Sequence, residues 1–267
     1  ENLKMDLMEN APPPAQCPPL PANWAIPANE PKIVREQQAS NIRTYPSVGW
    51  TADQWRQYRW AYNRLVEKVD QYIGMVLASL KKYGVEKNTI VIFTADHGDG
   101  YAAHSWNQKQ ALYEESAKVP FIISKPGGWP SRTDASLICN GTDIIPTICG
   151  LTGVKAPAYL KGADVSKRLS DPAFVLRDTL VIETDFADND RLLGISGRAV
   201  ITGKYKYIIY NKGDLKEQLF DLSKDPGEMD NLAVRSAYKK QVQQMNRYLK
   251  SWCTKNEDPF VKEKVWR

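Results

Sequence analysis

Asp96 and His97 follow directly on an apolar run, Thr89-Ile90-Val91-Ile92-Phe93-Thr94, and precede Gly98, Asp99 and Gly100. A carboxylate beside an imidazole is reasonable ligation for a divalent cation, with His less usual than Asn around Ca²⁺. The competing reading has Asp96 capping the next turn and His97 packed against the strand, and spacing alone weighs the two equally. Gly98 and Gly100 let the chain turn sharply and approach a ligand closely. The sequence holds two histidines, His97 and His104, too few for a two-zinc centre. Cys17, Cys139, Cys149 and Cys253 show no CxxC or CxxH spacing, so no zinc site is expected. A Cys139–Cys149 bridge in an oxidising compartment and two buried thiols both fit. Asn140-Gly141-Thr142 is a glycosylation sequon, relevant only if exposed in a eukaryotic source.

In open α/β sheets ligands bind outside the carboxyl ends of strands, which is where Asp96 and His97 stand. The run 89–94 does not alternate, and so predicts a strand buried on both faces, as in a parallel sheet. Ahead of it Tyr58, Tyr62, Leu65, Val69, Ile73, Val76 and Leu80 recur every three or four residues and predict a long amphipathic helix. Thr51 or Asp53 would cap it, and Gly84 would end it. A second buried strand is predicted at Val119–Ser124, a short helix at Thr142–Leu151 and a third buried strand at Thr179–Ile182. After Gly194 come short strands at Arg198–Ile201, Lys204–Ile209 and Gln218–Leu222, then a helix over Val234–Trp252. The first fifty residues are rich in proline and predict an extended segment rather than helix or central strand. Within it Trp24 and Ile26 are placed to dock on something apolar. The domain reading is 1–175 for the α/β portion, with 1–50 as lead-in, and 176–267 for a small α+β subdomain.

The 267 residues are 42% hydrophobic and 25% charged, ordinary for a globular chain able to bury a core. No apolar run reaches the length of a membrane span. The net charge of +5 is modest and scattered, which predicts a mixed surface and no nucleic-acid partner. The chain opens Glu1-Asn2-Leu3 with no initiator Met or signal peptide and reads as starting mid-protein.

Several segments, taken in order, resemble the type I sulfatases of the alkaline-phosphatase-like superfamily: Ala61–Leu65 through Asp70–Gly74, Asn88 through Asp99, His104 through Lys109, Leu112–Ser116 with Val119-Pro120, and Thr202–Tyr207 leading to Leu219–Glu228 and Asn231-Leu232. The resemblance covers nearly the whole chain. It implies an α/β fold, an alkaline-phosphatase-like parallel or mixed sheet flanked by helices, followed by a small antiparallel sheet with a helix. It implies a sulfuric ester hydrolase acting on sulfated small molecules or sulfated glycans, periplasmic, secreted or lysosomal. Asp96 and His97 match ligands of the family's Ca²⁺ or Mg²⁺. Lys109 matches the lysine that contacts sulfate oxygens, where an ammonium stabilises developing negative charge. His104 matches a histidine at the pocket mouth that positions substrate or protonates the leaving oxygen; its other reading is packing. Glu114 and Glu115 are read as fixing the helix before the next strand. Glu183 is read as structural. Trp106 and Tyr101 either stack on a sugar ring or simply pack.

The family's nucleophile is a formylglycine made within Cys/Ser-x-Pro-x-Arg. Cys17-Pro18-Pro19-Leu20-Pro21 lacks the arginine, and Gly128-Trp129-Pro130-Ser131-Arg132 has glycine in the nucleophile's place. The expectation is therefore a C-terminal portion whose partner is the N-terminal half carrying formylglycine. It is expected to be inactive by itself. Two other readings stand beside this one: a phosphatase or phosphodiesterase of the same superfamily, and a non-catalytic module that binds sulfated glycans.

Overall fold

A computed structural model describes residues 3–39, 47–188 and 191–266. Two compact units are interleaved along the chain. The first comprises Glu1–Val69, His97–Lys118 and Val181–Arg267, and the second Asp70–Asp96 and Val119–Leu180.

The proline-rich lead-in holds two helices, α1 (Leu3–Glu9) and α2 (Lys32–Ala39), where an extended segment is expected. The prolines do not interrupt them. They fall between the two, and Pro31 immediately precedes α2, where a missing N–H costs nothing. Trp24 packs as expected, beside Trp55 and Tyr58, whereas Ile26 is exposed. The long helix α3 spans Ala52–Lys82, its residues shared between the units. Its start is a reciprocal cap: Gln54 N donates to Thr51 Oγ1 at 3.3 Å and Thr51 N donates to Gln54 Oε1 at 2.8 Å. At its end Gly84 has φ +70°, with Gly84 N donating to Lys81 O and Val85 N to Leu80 O, the paired bonds of a Schellman close.

In the first unit β3 (Leu180–Asp188), β4 (Arg191–Ile201), β5 (Tyr205–Tyr210) and β6 (Glu217–Asp221) form one sheet in that order. β4–β5 and β5–β6 are antiparallel. The expected third strand is thus the start of β3 in this sheet. The period-2 alternation of β5 gives the sheet two buried faces. Tyr207 and Ile209 lie with Val242, Met245 and Leu249 of α7 (Lys239–Lys255). Ile208 and Tyr210 lie with Trp106, Leu112, Tyr113 and Val34. α7 starts later than the apolar pattern suggests because Leu232–Val234 and Ser236–Tyr238 are separate 3₁₀ turns, broken by extended Arg235.

In the second unit β1 (Val91–Thr94) pairs with β2 (Phe121–Ser124), and the pairing is antiparallel. Both strands stand where expected, but Phe93 and Ile122 are exposed, against the prediction of burial on both faces. Among the described residues that sheet has two strands, and no further layer covers those side chains. α5 (Asn140–Thr152) carries the predicted short helix. Its Asp143 is fully buried, and Arg177 grips both oxygens at 2.6 and 2.7 Å. Burial works to raise the Asp143 pKa, but the Arg177 and backbone hydrogen bonds outweigh it and hold it low. The cysteines are free. Cys139 and Cys149 stand at opposite ends of α5, about 15 Å apart along a helix axis, which excludes their bridge. α6 (Ser166–Ser170) follows α5.

Candidate active site

Within the segment from His97 to Lys118, the stretch 101–110 concentrates backbone held against its preferences. Tyr101, Ala102, His104, Ser105, Gln108 and Gln110 all have positive φ, between 48° and 84°. Non-glycine residues rarely adopt this region, and such clusters persist only where surroundings over-determine them. Here the determinants are visible. Gly98 N donates to Ser116 O at 2.8 Å and Gly100 N to Gln108 O at 2.7 Å, so the stretches that carry His97 and Lys109 are stitched side by side. A Cβ at Gly98 would lie 1.9 Å from Glu115 O, and one at Gly100 would lie 2.5 Å from Trp106 O. The two glycines serve close approach of the chain to itself. Asp99 Oδ1 accepts from Tyr58 Oη at 2.7 Å and from Tyr101 N at 2.9 Å. Trp106, 1% exposed, donates Nε1–H to Lys109 O at 3.2 Å. It packs, and is too enclosed to stack on a sugar.

Asp96 and His97 are exposed at the end of the β1 run, and Lys109 is exposed on the strained segment. His97 Nδ1 lies 2.7 Å from Gly98 O, a contact that an Nδ1–H satisfies, and in that tautomer the ring lone pair is on Nε2. Metal-bound histidines are commonly oriented in this way. Asn140 Nδ2, at the start of α5, donates to Ala95 O and so ties down the residue before Asp96.

His104 is elsewhere in character. It is 1% exposed and stacked on Tyr113, with ring centroids 3.9 Å apart and planes at 9°. Its N–H donates to Asn23 O at 2.7 Å, and its carbonyl accepts from Arg35 Nη2 at 2.7 Å. Arg35 is paired with buried Glu30, which accepts from Tyr113 Oη at 2.6 Å. The structure thus encloses a residue expected at a pocket mouth. Its Nε2 stands 3.6 Å from Glu115 Oε2, and Asn23 Nδ2 donates to Glu115 Oε1 at 2.8 Å. Burial tends to raise the Glu115 pKa, but hydrogen bonds from His104 and Asn23 prevail and lower it.

Asn23, Lys206 and Glu228 are not singled out by the sequence as site residues, the last two lying in segments that carry only the family resemblance, yet they complete this cluster. Among the described residues His104, Glu115 and Glu228 each place a ligand atom within 4.8 Å of the others. Lys206 Nζ lies 2.9 Å from Glu228 Oε1 and 3.0 Å from Glu114 Oε1. An ammonium already supplies the positive charge that a cation would bring there. Glu114 and Glu115 sit in α4 (Glu114–Ala117), the helix that the sequence reading has them fix. Glu183, half-exposed beside Arg198, is raised by burial. A cavity of about 470 Å³ in the second unit is lined by Cys149, Gly150, Asp164 and Lys167 among others; of the candidate site residues Asp96, His97, His104 and Lys109, none lines it.

The family described as Sulfatase matches residues 13–154, and the one described as N-sulphoglucosamine sulphohydrolase, C-terminal, matches residues 102–255. The chain is 30% identical to the Delta 4,5-hexuronate-2-O-sulfatase of Bacteroides thetaiotaomicron over 93% of this chain and 52% of that protein. A solved 2-O GAG sulfatase superposes with a TM-score of 0.88 at 29% identity, covering 98% of this chain and 59% of that one. A protein solved in complex with its substrate D-glucosamine-2-N,6-O-disulfate superposes at 0.71 with 25% identity, over 87% of this chain and 47% of that one. The chain spans about half the length of these relatives and matches their C-terminal part.

Proposed function

The chain belongs to the sulfatase family, and from that premise we propose that it supplies the cation- and sulfate-binding residues of a sulfuric ester hydrolase acting on sulfated sugars. Asp96 and His97 are two ligands for Ca²⁺ or Mg²⁺. The His97 Nδ1–Gly98 O contact supports this, because metal-bound histidines commonly donate their other ring N–H to a backbone carbonyl. When bound, the cation supplies positive charge toward the sulfate oxygens. Two ligands fall short of the six to eight oxygens Ca²⁺ takes, so the remaining ligands come from the N-terminal half of the fold. That half would also supply the formylglycine, whose aldehyde, once hydrated, carries the nucleophilic hydroxyl.

Lys109 is the sulfate contact. Its flexible stem and point charge suit a group whose negative charge builds during transfer, and its backbone is fixed on both sides by the bonds described above. His104 is too enclosed to reach substrate. In this reading it positions the segment through its stack on Tyr113 and its bonds to Asn23 and Arg35. The observation that carries the proposal is the concentration of strained backbone between Tyr101 and Gln110, immediately around an exposed lysine.

The sulfated-sugar class rests on the substrates in the names of the relatives. The decisive experiment assays hydrolysis of an aryl sulfate and a sulfated disaccharide by two preparations: the purified chain alone, and a polypeptide that joins it to an N-terminal sulfatase half. Turnover is expected from the second and not the first. Turnover by the chain alone would overturn the proposal.

A further inference from the structure

Lys206 is the least expected residue in the sheet. It lies in β5 on the face it shares with Ile208 and Tyr210, is 0% exposed, and belongs to a strand buried on both sides. Burial would strip its charge, but Glu228 and Glu114 outweigh that and hold its pKa above the ordinary lysine value. An apolar residue would fill the same volume at less cost. What an apolar residue cannot do is hold another group in place.

The group held is the exit of the strained segment. Glu114 stands five residues after Lys109. Its carboxylate takes one contact from Lys206, and its backbone N–H donates to Glu228 Oε2 at 2.6 Å. Glu228 in turn keeps Oε1 on Lys206, and its backbone is itself left-handed at φ +53°. Side chain and backbone of Glu114 are therefore both anchored to the C-terminal sheet through one ammonium. Between that anchor and Lys109 lie half-buried Gln110, whose side chain donates to Ala187 O, and buried Ala111, Leu112 and Tyr113, which leave little slack. On the other side of Lys109, its carbonyl accepts from Trp106 Nε1.

We infer that Lys206 is a positioning residue for Lys109: with Glu228 it clamps Glu114 and thereby fixes the path of the backbone that presents the sulfate-contacting ammonium. This rests on the reading of Lys109 given above and deepens it. It assigns the C-terminal sheet a part in sulfate recognition without any contact to sulfate.

The test compares Lys206→Met, the double substitution Lys206→Met with Glu228→Met, and Glu228→Gln, all in the full chain. The double substitution removes the ammonium and the carboxylate that faces it, and restores apolar packing. Glu228→Gln keeps an acceptor for the Glu114 N–H. Two readouts are taken: amide hydrogen exchange by peptide, and the acylation rate of Lys109 with and without inorganic sulfate. For the double variant, exchange over 109–118 is expected to rise by about tenfold while the β5–β6 ladder keeps its protection. Sulfate is expected to lose its protection of Lys109 in that variant. Glu228→Gln is expected to give a smaller change at 109–118, and it stands in should the methionine variants fail to fold. Unchanged exchange at 109–118 in a folded double variant, or a Glu228→Gln chain as loose there as the double variant, would overturn the inference. A wild-type chain in which sulfate gives Lys109 no protection would instead overturn the reading of Lys109, leaving the exchange data to decide whether the clamp exists.

Discussion

A methyl group added at Gly98 would meet the Glu115 carbonyl oxygen at 1.9 Å, a backbone atom that cannot swing aside. Gly98→Ala should therefore cost at least the 1–3 kcal/mol of an overpacked core site, of order 2 kcal/mol, and should loosen the Gly98–Ser116 bond; denaturant midpoints measure the first and exchange at Gly98 the second. Lys206→Met alone leaves Glu228, 0% exposed, as a buried carboxylate without its counter-ion. The expected loss is about 3–5 kcal/mol, read from urea unfolding followed by tryptophan fluorescence. If it instead proves neutral, Glu228 is taking up a proton in the folded state. Burial already pushes the Glu228 pKa upward.

Among the elements, α3 and α5 each begin at side-chain interactions that a single substitution removes. Thr51→Ala removes the oxygen that receives Gln54 N and should cost about 1 kcal/mol, detectable as a lower thermal midpoint. In the second unit Arg177 neutralises Asp143 at the start of α5. Arg177→Met should destabilise that unit by about 3–5 kcal/mol, because Asp143 is fully buried. A thermal melt that shows no change would mean that the backbone donors Cys139 N and Ala163 N suffice to hold the carboxylate.

At the scale of the molecule, both units contain carboxylates held below their ordinary range. Hydrogen bonds from Ser136, and beyond them Arg168, bring Asp134 down to about 2. Asp143 and Glu115 are lowered by hydrogen bonds that overcome burial. A carboxylate whose folded pKa is depressed contributes stability that is fully present above its unfolded value, about 4, and is lost as pH falls through the folded one. Urea midpoints should hold from pH 7 to about 5 and then drop toward about 2. Asp134→Asn should flatten the part of that drop between about 4 and about 2; an unaltered slope would show that Asp134 is equally paired in the unfolded chain. No helix among the described residues is long and apolar enough to cross a membrane.

The sequence by itself determined whatever depends on near neighbours. The 3.6-residue period and the Thr51–Gln54 and Gly84 signals located α3. The short β-branched runs located β4 to β6, and the ordered segments around Asp96, Lys109 and Glu114 carried the family. It also placed Glu114 and Glu115 on the short helix before the second strand, where α4 lies. Only the tertiary structure decided which residues close the loop on itself. His104 follows a gap of unremarkable residues, and nothing nearby in sequence reveals that Asn23 and Tyr113 enclose it. Lys206 reads locally as a surface lysine in an alternating strand, and becomes buried because Glu114 and Glu228 arrive from 92 residues before it and 22 after it. The proline-rich lead-in predicts extended chain on composition, yet Leu3–Glu9 and Lys32–Ala39 contain no proline and are free to coil. The run 89–94 predicts a covered parallel strand because side-chain pattern reports the burial a strand is suited to. Pairing direction and actual coverage depend on the elements that lie beside it.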